Sequence, residues 1–498
     1  MIEPDLDPRL PSRRPLLWPD WVLDLQEKLL QQDALPPTLI VGGAVRDALM
    51  HRPVKDIDLA TSGDAIRLAR LLTNLLDGDI FVMDAERGVA RVFYQTSLGD
   101  RFTLDVAMFR GETLLDDLRG RDFTVNAIAV DLLGDLSKII DPLGGERDII
   151  DRILRRCEPS AIFDDPVRVL RAVRVSTQLN LRIEPQTLSD VRAAAPGITT
   201  SSPERIRDEF YSLLNLDRPE RALRIAAAVG ILPHLLPEVA KLVGYTLSEP
   251  FTRDAWLHTL ATIERLSMIT LSISPRRTDA TAAVFDLGML VVQLDRYRAQ
   301  LNRYINQTWP NDRLNRNLLM LAALQHATGV LETPGDKMPV AASQRVAAST
   351  ADRLKLSTAE KKHLIAVIRA AGDFLATQDW SPVMQHRYWF RYDQAGIGGV
   401  LLGLGIYLAQ VGTYLVQEAW LDLVERARLL IEAFSDRYET IVNPPLLVDG
   451  TRLMDALGLS GGPIVGELLT LIREAQISEV ITTPEDALDY VRDYLEKR

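Results

Sequence analysis

The chain has 498 residues, 47% hydrophobic and 25% charged, with a formal net charge of −11; that length predicts roughly two to four packed units and a soluble globular composition. A single cysteine, Cys157, excludes an internal disulfide and a cysteine-rich metal site, and the acidic balance weighs against a generic polyanion binder. The richest apolar stretch, Ile397 to Ile406, is short and broken by glycines, so it reads as a buried helix and not a membrane span.

Residues 1–35 form a Pro/Arg-rich lead with a helix from Trp21 to Gln32, where Val22, Leu25 and Leu29 recur at helical spacing. The lead has neither a basic leader nor an apolar signal core, and a cytoplasmic protein is the expectation. Over 36–150 the pattern changes to short strands: Thr38–Val41, Asp56–Ala60, Asp79–Val82, Val89–Tyr94 and Phe102–Ala107. Helices are expected from Val45 and over Asp64–Leu76, which gives a small mixed sheet with a helix or two. Strand signals nearly vanish after Asp151. A helical neck is expected over 151–236, from Asp165–Asn180, Pro185–Ala194, Pro203–Leu214 and Pro219–Val229. A helical body (237–430) and tail (431–498) follow, with breaks at Ser274–Arg277, Thr333–Pro339 and Asn443–Pro445. The fold class is therefore α+β, a mixed-sheet head followed by an all-helical neck and body.

Five segments carry chemistry. In Leu39-Ile40-Val41-Gly42-Gly43-Ala44-Val45-Arg46 a strand runs through two glycines into a helix start. Glycine lets phosphate oxygens approach backbone N–H groups, and Arg46 can add a bidentate phosphate contact, the alternative being a simple turn. In Asp56-Ile57-Asp58-Leu59, period-2 alternation puts both aspartates on one face. Paired carboxylates repel unless a cation sits between them, which makes them a candidate Mg²⁺ ligand set completed by substrate phosphates, the alternative being a solvated strand face. Asp105 interrupts the apolar strand Phe102–Ala107 on the face of Thr103 and Ala107, where it can bind metal, deprotonate a hydroxyl or simply lie at an edge. Further on come Arg121-Asp122-Phe123-Thr124-Val125-Asn126 and then Asp164-Asp165-Pro166-Val167-Arg168, with Arg171 and Arg174 continuing a slanting row of arginines. Pro166 and the aspartates suit a first helical turn.

In this order, through about Phe210, these blocks resemble the class II tRNA nucleotidyltransferase/bacterial poly(A) polymerase family, within the polymerase-β-like nucleotidyltransferases. The resemblance implies that Gly42, Gly43 and Arg46 hold a nucleoside triphosphate and that Asp56 and Asp58 bind two Mg²⁺ ions. It implies further that Asp105 assists as a third catalytic acid. Arg121, Asp122 and Asn126 would meet phosphate and ribose; Asp165 and Arg168, with Arg171 and Arg174, would read the base of CTP or ATP. The implied partner is the 3′ acceptor end of tRNA, with no membrane and no protein partner deducible.

Departures from the family pattern bear on product and on the body. Gly120 stands where the family commonly has an arginine, and Asp164-Asp165 replaces its Glu-Asp. Arg110 to Leu118 leads almost directly into Arg121, without the flexible loop usual in CCA-adding members, so CC-only and full CCA addition both stay open. Asp254–Leu260 and Leu321–Ala327 resemble a degenerate HD phosphohydrolase domain whose His-Asp doublet is broken at His326-Ala327. A poly(A) polymerase acting on other RNA ends and a non-catalytic RNA-binding scaffold are the competing readings.

Overall fold

The computed structural model describes residues 9–32, 35–95, 101–247, 254–274, 285–310, 312–333, 339–412 and 414–497. It divides into two compact units, one reaching Ser202 and taking in Ala228–Ile231, the other made of Pro203–Ala227 and Leu232–Arg498.

The first unit is built on an eight-stranded sheet. Its strands are β1 (Arg9–Pro11), β2 (Thr38–Val41), β3 (Asp56–Thr61), β4 (Asp79–Asp84), β5 (Val89–Gln95), β6 (Arg101–Met108), β7 (Ala129–Asp131) and β8 (Lys138–Ile140), in the spatial order β1-β8-β7-β2-β3-β6-β5-β4. Only β3 and β6 pair in parallel, so the sheet is mixed. The strong alternating segments lie where the residue pattern predicts them. The three-residue strands β1, β7 and β8 are too short to carry a periodic signal, and β1 joins the lead to this sheet. Helix α1 (Asp20–Leu30) buries Val22, Leu25 and Leu29, the expected stripe.

Two helices fix which face of the sheet is open. Helix α2 (Gly43–Leu49) starts at the end of β2, and α3 (Ala65–Leu76) packs against β4, β5 and β6. Asp64 caps α3 by accepting from the Arg67 N–H at 3.0 Å. The α3 stripe Leu68, Leu72 and Leu76 is buried, as are Ile57, Leu59, Ala90, Val92, Leu104 and Val106 of the strands. Asp56, Asp58, Arg91 and Asp105 stand on the alternate positions, facing away from that core.

After α4 (Leu114–Arg119) and α5 (Gly145–Ile150), a two-residue strand β9 (Ile153–Leu154) pairs with β10 (Arg182–Ile183). Between them lie the short α6 (Ala161–Asp164) and α7 (Arg168–Leu179). Asp165 therefore precedes α7 and is not in its first turn, a correction to the expected helix over Asp165–Asn180. Proline disfavours helical geometry in the residue before it, and Asp165 ahead of Pro166 is extended, with φ −144° and ψ 95°.

The second unit is nearly all helical among its described residues. Ala395–Val411, which contains the apolar run, is a buried helix. It lies tightly against the helix Thr358–Ala376: a Cβ on Gly399 would come within 2.3 Å of the Ala370 Cβ, so only glycine fits there. No single helix among the described residues is long and apolar enough to cross a membrane. The HD-like segments contribute His258 and His326, both buried, with ring centroids 5.3 Å apart. Burial pushes His326 down to about 4, and its Nδ1 lies 2.6 Å from the Ala323 carbonyl oxygen. These are features of a packed core. Elsewhere in this unit Arg313 and Glu360 form a buried bidentate pair at 2.7 Å on both arms. Arg313→Met leaves a buried carboxylate uncompensated and is expected to cost about 3–5 kcal/mol. Urea unfolding checks this, and an unchanged midpoint would contradict it.

Candidate active site

The open face of the sheet brings the acids into one row. Asp58 of β3 is in register with Asp105 of β6, and Asp105 with Arg91 of β5. Asp56 is two residues before Asp58 on the same face. On the other side of β3, Val41 pairs with Asp58, which sets the glycine turn beside the acids.

That turn is built for close approach. Gly42 has φ +76° and ψ −137°, a region in which a side chain is strained. A Cβ there would also lie 2.8 Å from an Arg121 terminal nitrogen and 3.0 Å from Asp58 Oδ2.

The acids differ in their partners. Asp105 is held by Arg91 through two hydrogen bonds, 2.7 and 2.8 Å long. Among the described residues, neither Asp56 nor Asp58 accepts a hydrogen bond or forms an ion pair. Asp58 remains accessible at the surface, yet it sits in a concavity crowded by protein. That desolvation raises its carboxyl above the ordinary range; Arg121 opposes the rise, Asp105 adds to it, and Arg171 and Arg110 oppose it.

Arginines line the site, each braced. Arg121 donates from Nε and a terminal nitrogen to the buried Asp117 carboxylate at 3.1 and 2.9 Å. Asp117 also accepts from the Arg110 N–H at 3.3 Å. Arg46 donates to Asp47 at 3.0 Å and to Asn126 Oδ1 at 2.6 Å. Asn126 donates to Asp122 Oδ1 at 3.0 Å, and Arg171 lies 2.5 Å from the other Asp122 oxygen. Burial would raise the Asp122 carboxyl, but Arg171, Asn126, the Phe123 N–H and Arg168 together hold it below the usual range. One polar chain therefore runs from the α2 turn to α7.

Arg168 donates to the carbonyls of Gly120 at 2.8 Å, Ala161 at 3.0 Å and Arg121 at 3.3 Å. Asp165 is 3.9 Å from the Arg168 Nε. Arg174, a turn further along α7 than Arg171, donates to Gln178 Oε1 at 3.1 Å.

The structure thus gathers Gly42, Arg46, Asp56, Asp58, Asp105, Arg121, Asp122, Asn126, Arg168 and Arg171 about one concave face. It narrows two expectations. Asp105 is engaged by Arg91, and both Asp122 oxygens are engaged inside the protein. Sequence reading missed Arg91, Asp117 and Arg110. Alternation along β5 places Arg91 opposite the apolar stripe, but its partner appears only once β5 and β6 are in register.

Among the described residues no three His, Cys, Asp or Glu side chains converge as a metal cage. The adjacent Asp56 and Asp58, both without a protein partner, fit a divalent cation that takes its remaining oxygens from substrate phosphates and water.

Comparison with known proteins adds lineage. Residues 38–155 match the family model described as the Poly A polymerase head domain, and residues 180–242 that described as the probable RNA and SrmB-binding site of polymerase A. An A-adding tRNA nucleotidyltransferase of Deinococcus radiodurans is 30% identical over 93% of this chain and 96% of the relative. A CC-adding tRNA nucleotidyltransferase of Synechocystis is 27% identical over 92% and 94%. Another CC-adding enzyme, from Geobacter sulfurreducens, is 38% identical over 41% of this chain and 42% of its own length. Among solved structures, a CCA-adding enzyme with ATP aligns over 96% of both chains with TM-score 0.63 at 20% identity, a likeness of fold.

Proposed function

The chain belongs to the tRNA nucleotidyltransferase/poly(A) polymerase family, and from that premise we propose that it adds CMP, AMP or both to the 3′ end of tRNA without a template, using CTP and ATP. The observation that carries this reading is the unpartnered Asp56–Asp58 pair set directly against the Gly42 turn. Such a face joins a phosphate-binding turn to a cation site, the two requirements of nucleotidyl transfer.

Each residue has a positional role in this reading. The α2 turn at Gly42 and Gly43 offers backbone N–H groups to the triphosphate, and Arg46 and Arg121 supply positive charge beside it. Asp56 and Asp58 hold the divalent cation, which when bound neutralises developing charge on the phosphates and lowers the pKa of the attacking hydroxyl. Asp105, fixed by Arg91, adds negative charge next to Asp58. Asp122 and Asn126 connect Arg171 to Arg46 and so fix the nucleotide's ribose side. Arg168, with three carbonyls fixing its plane, presents the rest of its guanidinium to the base edge beside Asp165. A cytoplasmic location follows from a tRNA substrate.

Asp117→Asn removes the charge that holds Arg121. It is expected to raise KM for the nucleotide about tenfold, in line with roughly 1.5 kcal/mol for a charge-assisted hydrogen bond, with kcat less affected. Steady-state kinetics with CTP check this, and an unchanged KM would show that Arg121 is positioned by other contacts. The reading itself is tested by extension of tRNA that lacks its 3′ CCA.

A further inference from the structure

The groups assigned above to the triphosphate lie on one side of the acid pair. Gly42, Arg46 and Arg121 are grouped at the β2 side of β3. On the opposite side β6, β5 and β4 extend the same face to the edge of the sheet, while α3 packs against these strands from behind. This face carries exposed aromatic side chains. Phe81 on β4 is directly opposite Arg91 on β5 and is 61% exposed. Phe93, two residues beyond Arg91 on the same face, is 46% exposed. Beside them the Arg91 guanidinium, 38% exposed, is held by its bidentate pair with the Asp105 carboxylate.

We propose that Phe81, Arg91 and Phe93 form a stacking platform for the unpaired 3′-terminal bases of the acceptor RNA. The proposal rests on the transferase reading. In an in-line displacement the attacking hydroxyl and the pyrophosphate leaving group lie on opposite sides of the phosphorus. With the triphosphate at the β2 side, the acceptor strand comes from the β5 side, continuous with the acid row. Exposed phenyl rings and a flat guanidinium match single-stranded RNA, because every base has a stacking face and arginine adds cation–π attraction. Asp79, paired across from Phe93, limits the platform, since a phosphate avoids a carboxylate.

The test uses the full chain and a tRNA transcript without its 3′ CCA. Phe81→Ala and Phe93→Ala are each expected to raise KM for this RNA about tenfold. The dissociation constant for CTP and the thermal midpoint should stay at their wild-type values, because both rings are exposed and outside the triphosphate turn. Phe81→Trp and Phe93→Tyr keep a stacking face and should hold KM near wild type. Alanine variants that leave KM for RNA unchanged while wild type extends tRNA would overturn the platform and leave the transferase reading standing. A changed oligomeric state in those variants with unchanged KM would overturn it too, by making the patch a protein contact. If wild type extends no RNA, the transferase reading falls and the platform with it.

Discussion

Asp58→Asn is expected to lower nucleotide transfer about 10³-fold or more and, without divalent cation, to raise the thermal midpoint of the protein. Both effects have one cause. Asp58 is desolvated in the concavity and lies in register with Asp105, so its ionised form is disfavoured in the folded protein and its carboxyl is raised. Removing the charge relieves that penalty, and in the proposed reading it also removes a cation ligand at the reaction centre, where loss of a single charge-stabilising group costs this order of rate. The sign with pH follows. A raised carboxyl is penalised when ionised, so in cation-free protein its destabilising contribution appears as pH rises past the ordinary aspartate value and disappears on acidification. Activity runs the opposite way, falling on the acid side as Asp58 takes a proton. Calorimetry with and without Mg²⁺ measures the first part: Mg²⁺ should stabilise wild type and do so less for Asp58→Asn. Equal Mg²⁺ stabilisation of both would place the cation elsewhere.

Gly42→Ala should be the substitution outside the acids most damaging to nucleotide transfer. The new Cβ meets the Arg121 guanidinium at 2.8 Å and the Asp58 carboxylate at 3.0 Å, on a backbone with positive φ that costs about 1–3 kcal/mol for any other residue. Relief requires Arg121 to leave Asp117 or the turn to open, and either displaces the proposed triphosphate cradle. A denaturation midpoint lowered by that amount, with transfer reduced at least about 100-fold, is expected. Near-wild-type transfer would show that the turn is not a binding element.

Much of this site was legible in the residues, for reasons that differ along the chain. Alternation in Asp56-Ile57-Asp58-Leu59 places both acids on the open face, and the structure has them there. The glycine turn was equally legible because close approach to the backbone demands glycine, and the structure adds the positive φ of Gly42. Asp165 misled because Pro166, acceptable in a first helical turn, also bars its predecessor from helical geometry; the helix starts at Arg168. Arg91 and Asp117 were invisible because their meaning lies in strand register and in one buried carboxylate between two arginines. The short strands β1, β7 and β8 depend on neighbours for their existence, and no local pattern marks them. Relatives named for CC and for A addition both align over nearly the whole chain; in the proposed reading the choice between nucleotides falls to the residues about Asp165 and Arg168.

The decisive measurement is extension of a tRNA transcript lacking its 3′ CCA, supplied with CTP, with ATP and with both, in the presence of Mg²⁺. A short, defined product corresponding to CCA or part of it is expected, lost in Asp56→Asn and Asp58→Asn proteins that retain the wild-type circular dichroism spectrum. No extension, unlimited addition of A, or full extension by the two variants would contradict the assignment.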